Sequence, residues 1–339
     1  MILKKDLYHF ISTLSFTKII NVFKIYFSYL LAKYTKRNII YGMPFNISIE
    51  PTTSCNLGCT ECPSGLKIFT RPTGNLDEIT FKKSIDQLEK TLVYLYLYFQ
   101  GEPYMHPKFF DFVKYASEKN IYTVTSTNGH YLTPRKAEET ILSGLSRIII
   151  SIDGATQESY EKYRIGGTLD KVLEGTKNLV QARKKLNSKT PHIILQTVVM
   201  KNNEHELDEL KRIADELEVD EIKFKSAQVY DFENGNDLIP KNESMSRYVN
   251  SDGKWHIKNE LLNHCWKLWH SCVITWDGAV VPCCFDKDAK YKQGNINAIE
   301  FKKIWKNESY KLFRSKVLHS RKNIDICTNC SEGTNVWVS

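Results

Sequence analysis

From position 46 onward the chain alternates short apolar, β-branched runs with longer stretches whose apolar residues recur every three or four positions. The runs at 46–50, 93–99, 122–126, 147–152, 192–200 and 221–225 read as strands. Helical periodicity fills the intervals, over 78–90, 107–119, 134–143, 169–185 and 204–217. Such alternation predicts a parallel sheet wrapped by helices, an α/β architecture. Six units are too few to close an eight-stranded barrel, so a partial, TIM-like (β/α)6 barrel is expected over 46–230.

The two ends of the chain carry different patterns. Ile19, Ile20, Phe23, Tyr26, Phe27, Leu30, Leu31 and Tyr34 fall on one helical face, with Lys18, Asn21, Lys24, Ser28 and Lys36 mainly opposite. This predicts an amphipathic helix within an N-terminal extension, 1–45. Its aromatic stripe is expected to pack on the main domain or on a partner chain, because such stripes are usually core. Peripheral contact with an anionic membrane is the competing reading. Lys24 and Lys33 interrupt any run long enough to span a bilayer. Residues 231–254 lack periodicity and are rich in Asn, Asp, Glu and Ser, so 231–260 reads as a linker. A small cysteine-rich α+β domain follows at 261–339, with a hairpin signal at Asp277-Gly278 between 273–276 and 279–281. Beyond it lie Gly294-Asn295-Ile296 and a helix around 301–313 holding Trp305.

Composition narrows the function classes. A chain of 339 residues holds one large domain and a smaller one. Seven Lys or Arg against the single acid Asp6 give residues 1–37 a net +6 of the total +8, leaving the remainder weakly basic. A broad nucleic-acid face is therefore not expected. Nine cysteines, an odd number, without a cleavable signal pattern argue for reduced thiols, metal and a cytoplasmic location.

The candidate chemistry starts at Cys55-Asn-Leu-Gly-Cys59-Thr-Glu-Cys62, in the loop after the first strand. Three thiolates leave a structural zinc one ligand short, whereas in a four-iron cluster they leave one iron open. A zinc loop borrowing a distant ligand is the bland alternative. Gly101-Glu102-Pro103, Thr127-Asn128-Gly129 and Asp153-Gly154 follow the next three strands. Four consecutive loops thus gather polar and glycine-rich chemistry at the strands' C-terminal ends, where barrel active sites form. Lys201 and Gln228, near the ends of the fifth and sixth strands, are positional candidates for a general base and no more. Six further cysteines, Cys265, Cys272, Cys283, Cys284, Cys327 and Cys330, lie in the C-terminal region. There a four-cysteine zinc ribbon and an iron–sulfur cluster compete.

The triplet and its Cys-Asn-Leu context resemble the radical S-adenosylmethionine (SAM) enzymes. The resemblance implies a [4Fe–4S] cluster on Cys55, Cys59 and Cys62, whose open iron chelates the amino and carboxylate groups of SAM. One electron then cleaves a carbon–sulfur bond, and the 5′-deoxyadenosyl radical abstracts a hydrogen atom from substrate. Gly101-Glu102-Pro103 resembles the Gly-Gly-Glu-Pro motif whose backbone receives the SAM amino group, with Gln100 in place of the first glycine. Ser126 and Asn128 stand where the family meets the ribose hydroxyls. Ser151, Asp153 and Arg164 are similar to polar residues that hold ribose and carboxylate, a geometry that suits an arginine fork. Glu61 replaces the apolar or aromatic residue often packed near adenine.

The C-terminal cysteines resemble the auxiliary-cluster domain called SPASM, or its shorter twitch form, and the whole resemblance covers 46–331. One auxiliary [4Fe–4S] cluster is expected. The hairpin can fold Cys265 beside Cys283, with Cys327 and Cys330 completing four ligands. Cys283 and Cys284, adjacent in an extended segment, point to opposite sides, so Cys284 and Cys272 are expected to pack rather than ligate. A fully ligated cluster would take up the electron left on the substrate radical.

The expected substrate is a ribosomally made peptide modified at a side chain, or a small metabolite such as an amino sugar or alcohol. A zinc-stabilised binding module without chemistry is the third reading. The resemblance also implies an electron donor such as flavodoxin or ferredoxin. About forty-five residues precede the barrel, so a separate peptide-recognition protein would supply leader binding.

Overall fold

The computed structural model describes residues 2–258, 260–330, 332 and 337–338, with side chains from position 6 onward. Positions 1, 259, 331, 333–336 and 339, which the expected N-terminal, linker and C-terminal regions include, lie outside the described residues. Each expected barrel strand forms: β1 (Asn46–Ile49), β2 (Tyr94–Tyr96), β3 (Tyr122–Thr127), β4 (Arg147–Ser151), β5 (His192–Val199) and β6 (Glu221–Ser226). They pair in that order, all parallel.

Alternation along the strands sorts residues between two layers. Ile47, Ile49, Leu95, Ile148, Ile150 and Leu195 are fully buried in the core. Their neighbours Ser48, Tyr94, Tyr96, Arg147, Lys223 and Lys225 line a polar cavity of about 820 Å³. The helices are α1 (Ile2–Ser12), α2 (Phe16–Thr35), α3 (Pro63–Leu66), α4 (Glu78–Leu88), α5 (Phe109–Glu118), α6 (Pro134–Leu142), α7 (Gln157–Glu161), α8 (Leu169–Lys185) and α9 (Leu207–Glu216). Starts are fixed chemically: Asp77 caps α4, Thr133 caps α6, and Thr156 with Ser159 forms a capping box on α7.

The sheet does not stop at six strands. β7 (Tyr248–Ser251) and β8 (Lys254–Ile257) form a separate hairpin. α10 (Lys267–His270) then leads into β9 (Ser271–Ile274), which pairs parallel to the free edge of β1. The expected hairpin follows, with β10 (Ala279–Val281) antiparallel to β9, and β11 (Gly294–Asn295) beyond it. α11 (Phe301–Trp305), α12 (Glu308–Ser320), α13 (Asp325–Thr328) and β12 (Trp337–Val338) complete the chain. β12 lies antiparallel to β6, so the described residues build one open ten-stranded sheet. One apolar core runs from Ile25 through the barrel to Trp269, Trp305 and Cys327.

Two expectations are corrected. The stretch read as a linker carries β7 and β8, and Tyr248 packs there with Val229 and Ile239 in a small core of its own. A few scattered buried residues, Ile239 and Tyr248 among them, amid exposed polar ones left too little periodicity to read.

The second correction concerns α2, whose aromatic stripe does not pack on the main domain. Ile19, Ile20, Phe23, Tyr26, Phe27, Leu31 and Tyr34 are exposed, while Lys18, Asn21, Ile25, Ser28 and Ala32 face the protein. The reason is hydrogen bonding. The Lys18 ammonium donates to the carbonyls of Thr13 (3.0 Å) and Asn120 (2.5 Å). The Asn21 amide brackets Met43, donating to its carbonyl (2.8 Å) and accepting from its N–H (2.9 Å). Ser28 Oγ accepts from the Tyr41 N–H at 2.8 Å. The returning segment is itself held by indoles, since Trp269 donates to the Ile39 carbonyl and Trp305 to that of Gly42.

Candidate active site

The cysteine loop leaves β1 and returns through α3, which starts directly after Cys62. A Cβ on Gly65 would sit 2.5 Å from the Cys59 nitrogen, so only glycine lets this helix turn lie on the loop. The Gly58 N–H donates to the Ile165 carbonyl at 2.9 Å, tying the loop to the segment after α7. Burial raises the Cys55 thiol to about 11 and raises that of Cys59, with the neighbouring thiols adding to both shifts. A pocket of about 250 Å³ opens beside all three.

The opposite wall of that pocket holds Gly101, Glu102, Ser126, Asn128, Ser151 and Arg164. Gly101 needs its freedom: φ is +74°, and a Cβ would meet the Thr52 carbonyl oxygen at 2.3 Å. Its N–H donates to Ser64 Oγ (2.9 Å), and the Glu102 N–H to the Ser54 carbonyl (2.7 Å), so the second loop is laced to the first. Arg164 sets its guanidinium 3.7 Å from Cys59 Sγ and donates through Nε to Asp153.

Two expected contacts stand behind this wall. Asp153 is fully buried, holding Arg164 with one oxygen and accepting from the Val198 N–H with the other at 2.6 Å. Pro103 is buried in the turn that follows Glu102. Glu61 accepts from the Tyr230 N–H (2.8 Å) and from Asn236 (3.3 Å), fastening the cysteine loop to the chain after β6.

The C-terminal cysteines divide by surroundings. Cys265 is enclosed, and burial pushes its thiol up to about 12, with Glu332 and Cys330 adding to the shift. Cys283 is raised by burial and then by Cys284, Cys330 and Cys265, and Cys327 is raised to about 11 by burial and Cys330. Arg321 points a guanidinium nitrogen at Cys330 Sγ, 3.4 Å away. These mutual effects place Cys265, Cys283, Cys284, Cys327 and Cys330 near one another, with Cys284 also beside Lys267 and the large cavity. Cys272 lies apart in the core, beside Arg314 and Tyr310.

Comparison with known proteins decides what this arrangement is. The family model of the radical SAM superfamily matches residues 49–218. The chain belongs to the radical SAM superfamily. Residues 265–331 match the SPASM iron–sulfur cluster-binding domain. A tungsten-containing aldehyde ferredoxin oxidoreductase cofactor-modifying protein of Pyrococcus furiosus is 28% identical over 84% of this chain and 86% of its own length. The mycofactocin maturase MftC of Mycobacterium tuberculosis is 27% identical over 85% of this chain and 75% of its own. Among solved structures, Streptococcus suis SuiB bound to S-adenosylmethionine superposes with a TM-score of 0.64 at 16% identity, over 90% of this chain and 76% of its own.

The radical SAM core is thus an enzyme's, with a [4Fe–4S] cluster and SAM as its cofactors and auxiliary iron–sulfur in the SPASM part. The donor set suits the first cluster: the pocket's lining has three thiols, no histidine and free space beside them. Among the described residues no three Cys, His, Asp or Glu side chains form a cage for a single metal ion. The fit therefore rests on the chemistry of the walls.

Several wall residues escaped sequence reasoning. Tyr98, Phe99 and Lys287 border both the pocket beside the cysteine loop and the large cavity. Asn56 accepts from Asn128 at 2.8 Å, and Ser64 receives Gly101. A signal existed for the cavity side: Tyr94 and Tyr96 on β2 with Tyr98 just beyond it, and Lys223 and Lys225 on β6, alternate with apolar residues. A parallel strand buried on both faces would read as continuously apolar.

Proposed function

We propose that this radical SAM enzyme abstracts a hydrogen atom from a side chain of a peptide held in the large cavity. The observation that carries the reading is a shared boundary. The cavity of about 820 Å³ and the pocket beside Cys55, Cys59 and Cys62 share Tyr98, Phe99, Gln100, Ser126 and Lys287. A substrate there would lie against the same side chains that line the pocket, within reach of what forms in it. When bound, the cluster on Cys55, Cys59 and Cys62 supplies the electron that releases the 5′-deoxyadenosyl radical, and an auxiliary cluster offers a sink for the substrate's electron.

The chain's own residues do the rest. Gly101 and Glu102 offer backbone groups to the SAM amino group, Arg164 a fork to its carboxylate, and Ser126, Asn128 and Ser151 partners for its ribose. Asp153 keeps Arg164 in place. Burial lowers the pKa of Lys225, and Arg247, Lys267 and Lys287 lower it further, so several cations converge on one space. That space favours a substrate group carrying negative charge, such as an acidic side chain of the peptide. The structural neighbour SuiB of Streptococcus suis, solved bound to its precursor peptide SuiA, is compatible with this reading.

For the auxiliary site the proposed ligands are Cys265, Cys283, Cys327 and Cys330, so alanine at any of them should lose one cluster's iron while alanine at Cys272 or Cys284 should not. The substrate reading is tested by anaerobic turnover with candidate peptides encoded beside this gene, synthesised with deuterated side chains. Deuterium appearing in 5′-deoxyadenosine from an acidic peptide, and lost when its acids are changed to amides, is the expected result. Turnover of an amino sugar or alcohol with no response to any peptide would replace it.

A further inference from the structure

The outward side of the two N-terminal helices is apolar along its length. On α2, Phe16 is 78% exposed and Phe23 and Phe27 are each 57% exposed, with Ile19, Ile20 and Leu31 between them. At 3.6 residues per turn these six positions fall within an arc of about 120°. α1 adds Leu7, Tyr8 and Ile11, all exposed.

This is not a helix turned the wrong way. Lys18, Asn21 and Ser28 are committed to backbone groups of the main body. Rotating α2 to bury Phe23 and Phe27 would strip an ammonium and an amide of those partners. The polar face docks, and the apolar face is left to meet something else.

Charge says what that is. The only acidic residue before Glu50 is Asp6, and it is turned inward onto Arg147 and Tyr122. Lys24, Lys36 and Arg37 are exposed and Lys33 half-exposed around the stripe. Among the described side chains the outward surface is therefore apolar with a cationic fringe and no anion. Its breadth points the same way, because α1 and α2 meet at 98°. A groove shaped for one helix would cover only one of them, whereas two crossed axes share a plane. Tyr8, Tyr26 and Tyr34 add apolar rings with polar tips, the side chains that settle at a headgroup boundary. No single described helix is long and apolar enough to cross a membrane.

We propose that α1 and α2 seat the enzyme on an anionic lipid bilayer, lying in its interfacial plane. The test uses the full-length protein, purified without detergent, and sedimented with phosphatidylcholine vesicles with or without about 30% phosphatidylglycerol. Binding should require the anionic lipid and fall about tenfold between about 0.1 M and about 0.5 M salt. A Phe16→Ser, Phe23→Ser, Phe27→Ser triple variant should lose binding about tenfold and keep SAM cleavage. Serine at the equally exposed Leu142 and Leu312 should change neither. Protein that stays in solution with anionic vesicles, or a triple variant that binds like wild type, overturns the proposal. So does a lipid-free dimer in analytical ultracentrifugation that the same triple variant dissociates, since a second copy would then own the face.

Discussion

The Glu102 carboxylate is enclosed on all sides, and three donors converge on it: the Asn128 N–H and Thr127 hydroxyl at 2.8 Å, and the Tyr104 N–H at 3.1 Å. Burial raises its pKa and these donors oppose the rise. Its side chain therefore fixes the loops after β2 and β3, leaving the backbone to face SAM. Glu102→Gln keeps the shape, but its amide must turn an N–H toward at least one donor. Thermal unfolding should show a loss of about 1–3 kcal/mol, together with weaker SAM binding and unchanged iron content.

His270 gives the fold a dependence on pH. Its ring stacks on Phe45 at 5.1 Å, and burial, then Lys267, lower its pKa to about 3. The unfolded imidazole takes its proton near 6.5, so the unfolded state holds the extra proton between about 6.5 and about 3. Stability is thus complete above that window and falls as pH drops through it, by up to about 1.4 kcal/mol per unit. His270→Phe should flatten the difference between anaerobic urea unfolding at about pH 7 and about pH 5. Spacing alone pointed to Cys55, Cys59 and Cys62, whereas the placing of Asp153 behind Arg164 depends on side-chain directions that a linear pattern does not carry.

Among elements, the return from the cysteine loop is fastened by a buried ion pair. Arg71 makes a two-pronged ion pair with Glu50 at the end of β1, at 2.9 and 2.5 Å, and both are nearly inaccessible. Glu50 also accepts from the Trp276 N–H at 3.2 Å, and Arg71 Nε donates to the Lys287 carbonyl at 2.9 Å. Barrel, cysteine loop and C-terminal hairpin meet at this pair. Arg71→Met leaves a buried carboxylate without its cation and should cost about 3–5 kcal/mol in urea unfolding. Adding Glu50→Leu should recover part of that loss. Helical period predicted α2 well, but not which face turns inward. The usual rule buries the apolar side, and here the hydrogen-bonding needs of Met43, Tyr41 and Asn120 override it.

At the scale of the whole molecule, the C-terminal region does not hang from the barrel as an appendage. β9 extends the barrel's own sheet along β1, and the segment after β10 reaches both spaces: Cys284 lines the large cavity, and Lys287 lines that cavity and the pocket beside the first cysteine loop. The order of β1 to β6 was legible because each strand announces itself locally and parallel units follow in sequence. The pairing of β1 with a strand more than two hundred residues later was not, since nothing local selects a sheet edge. We propose that Cys55, Cys59 and Cys62 hold the cluster that cleaves SAM. Wild-type enzyme and a Cys55→Ala, Cys59→Ala, Cys62→Ala variant, both reconstituted anaerobically and given SAM and dithionite, should differ absolutely in 5′-deoxyadenosine. The wild type should form it, and the variant should form none while keeping its circular dichroism and its auxiliary iron. A folded variant producing 5′-deoxyadenosine at the wild-type rate would show that the cleaving cluster sits elsewhere.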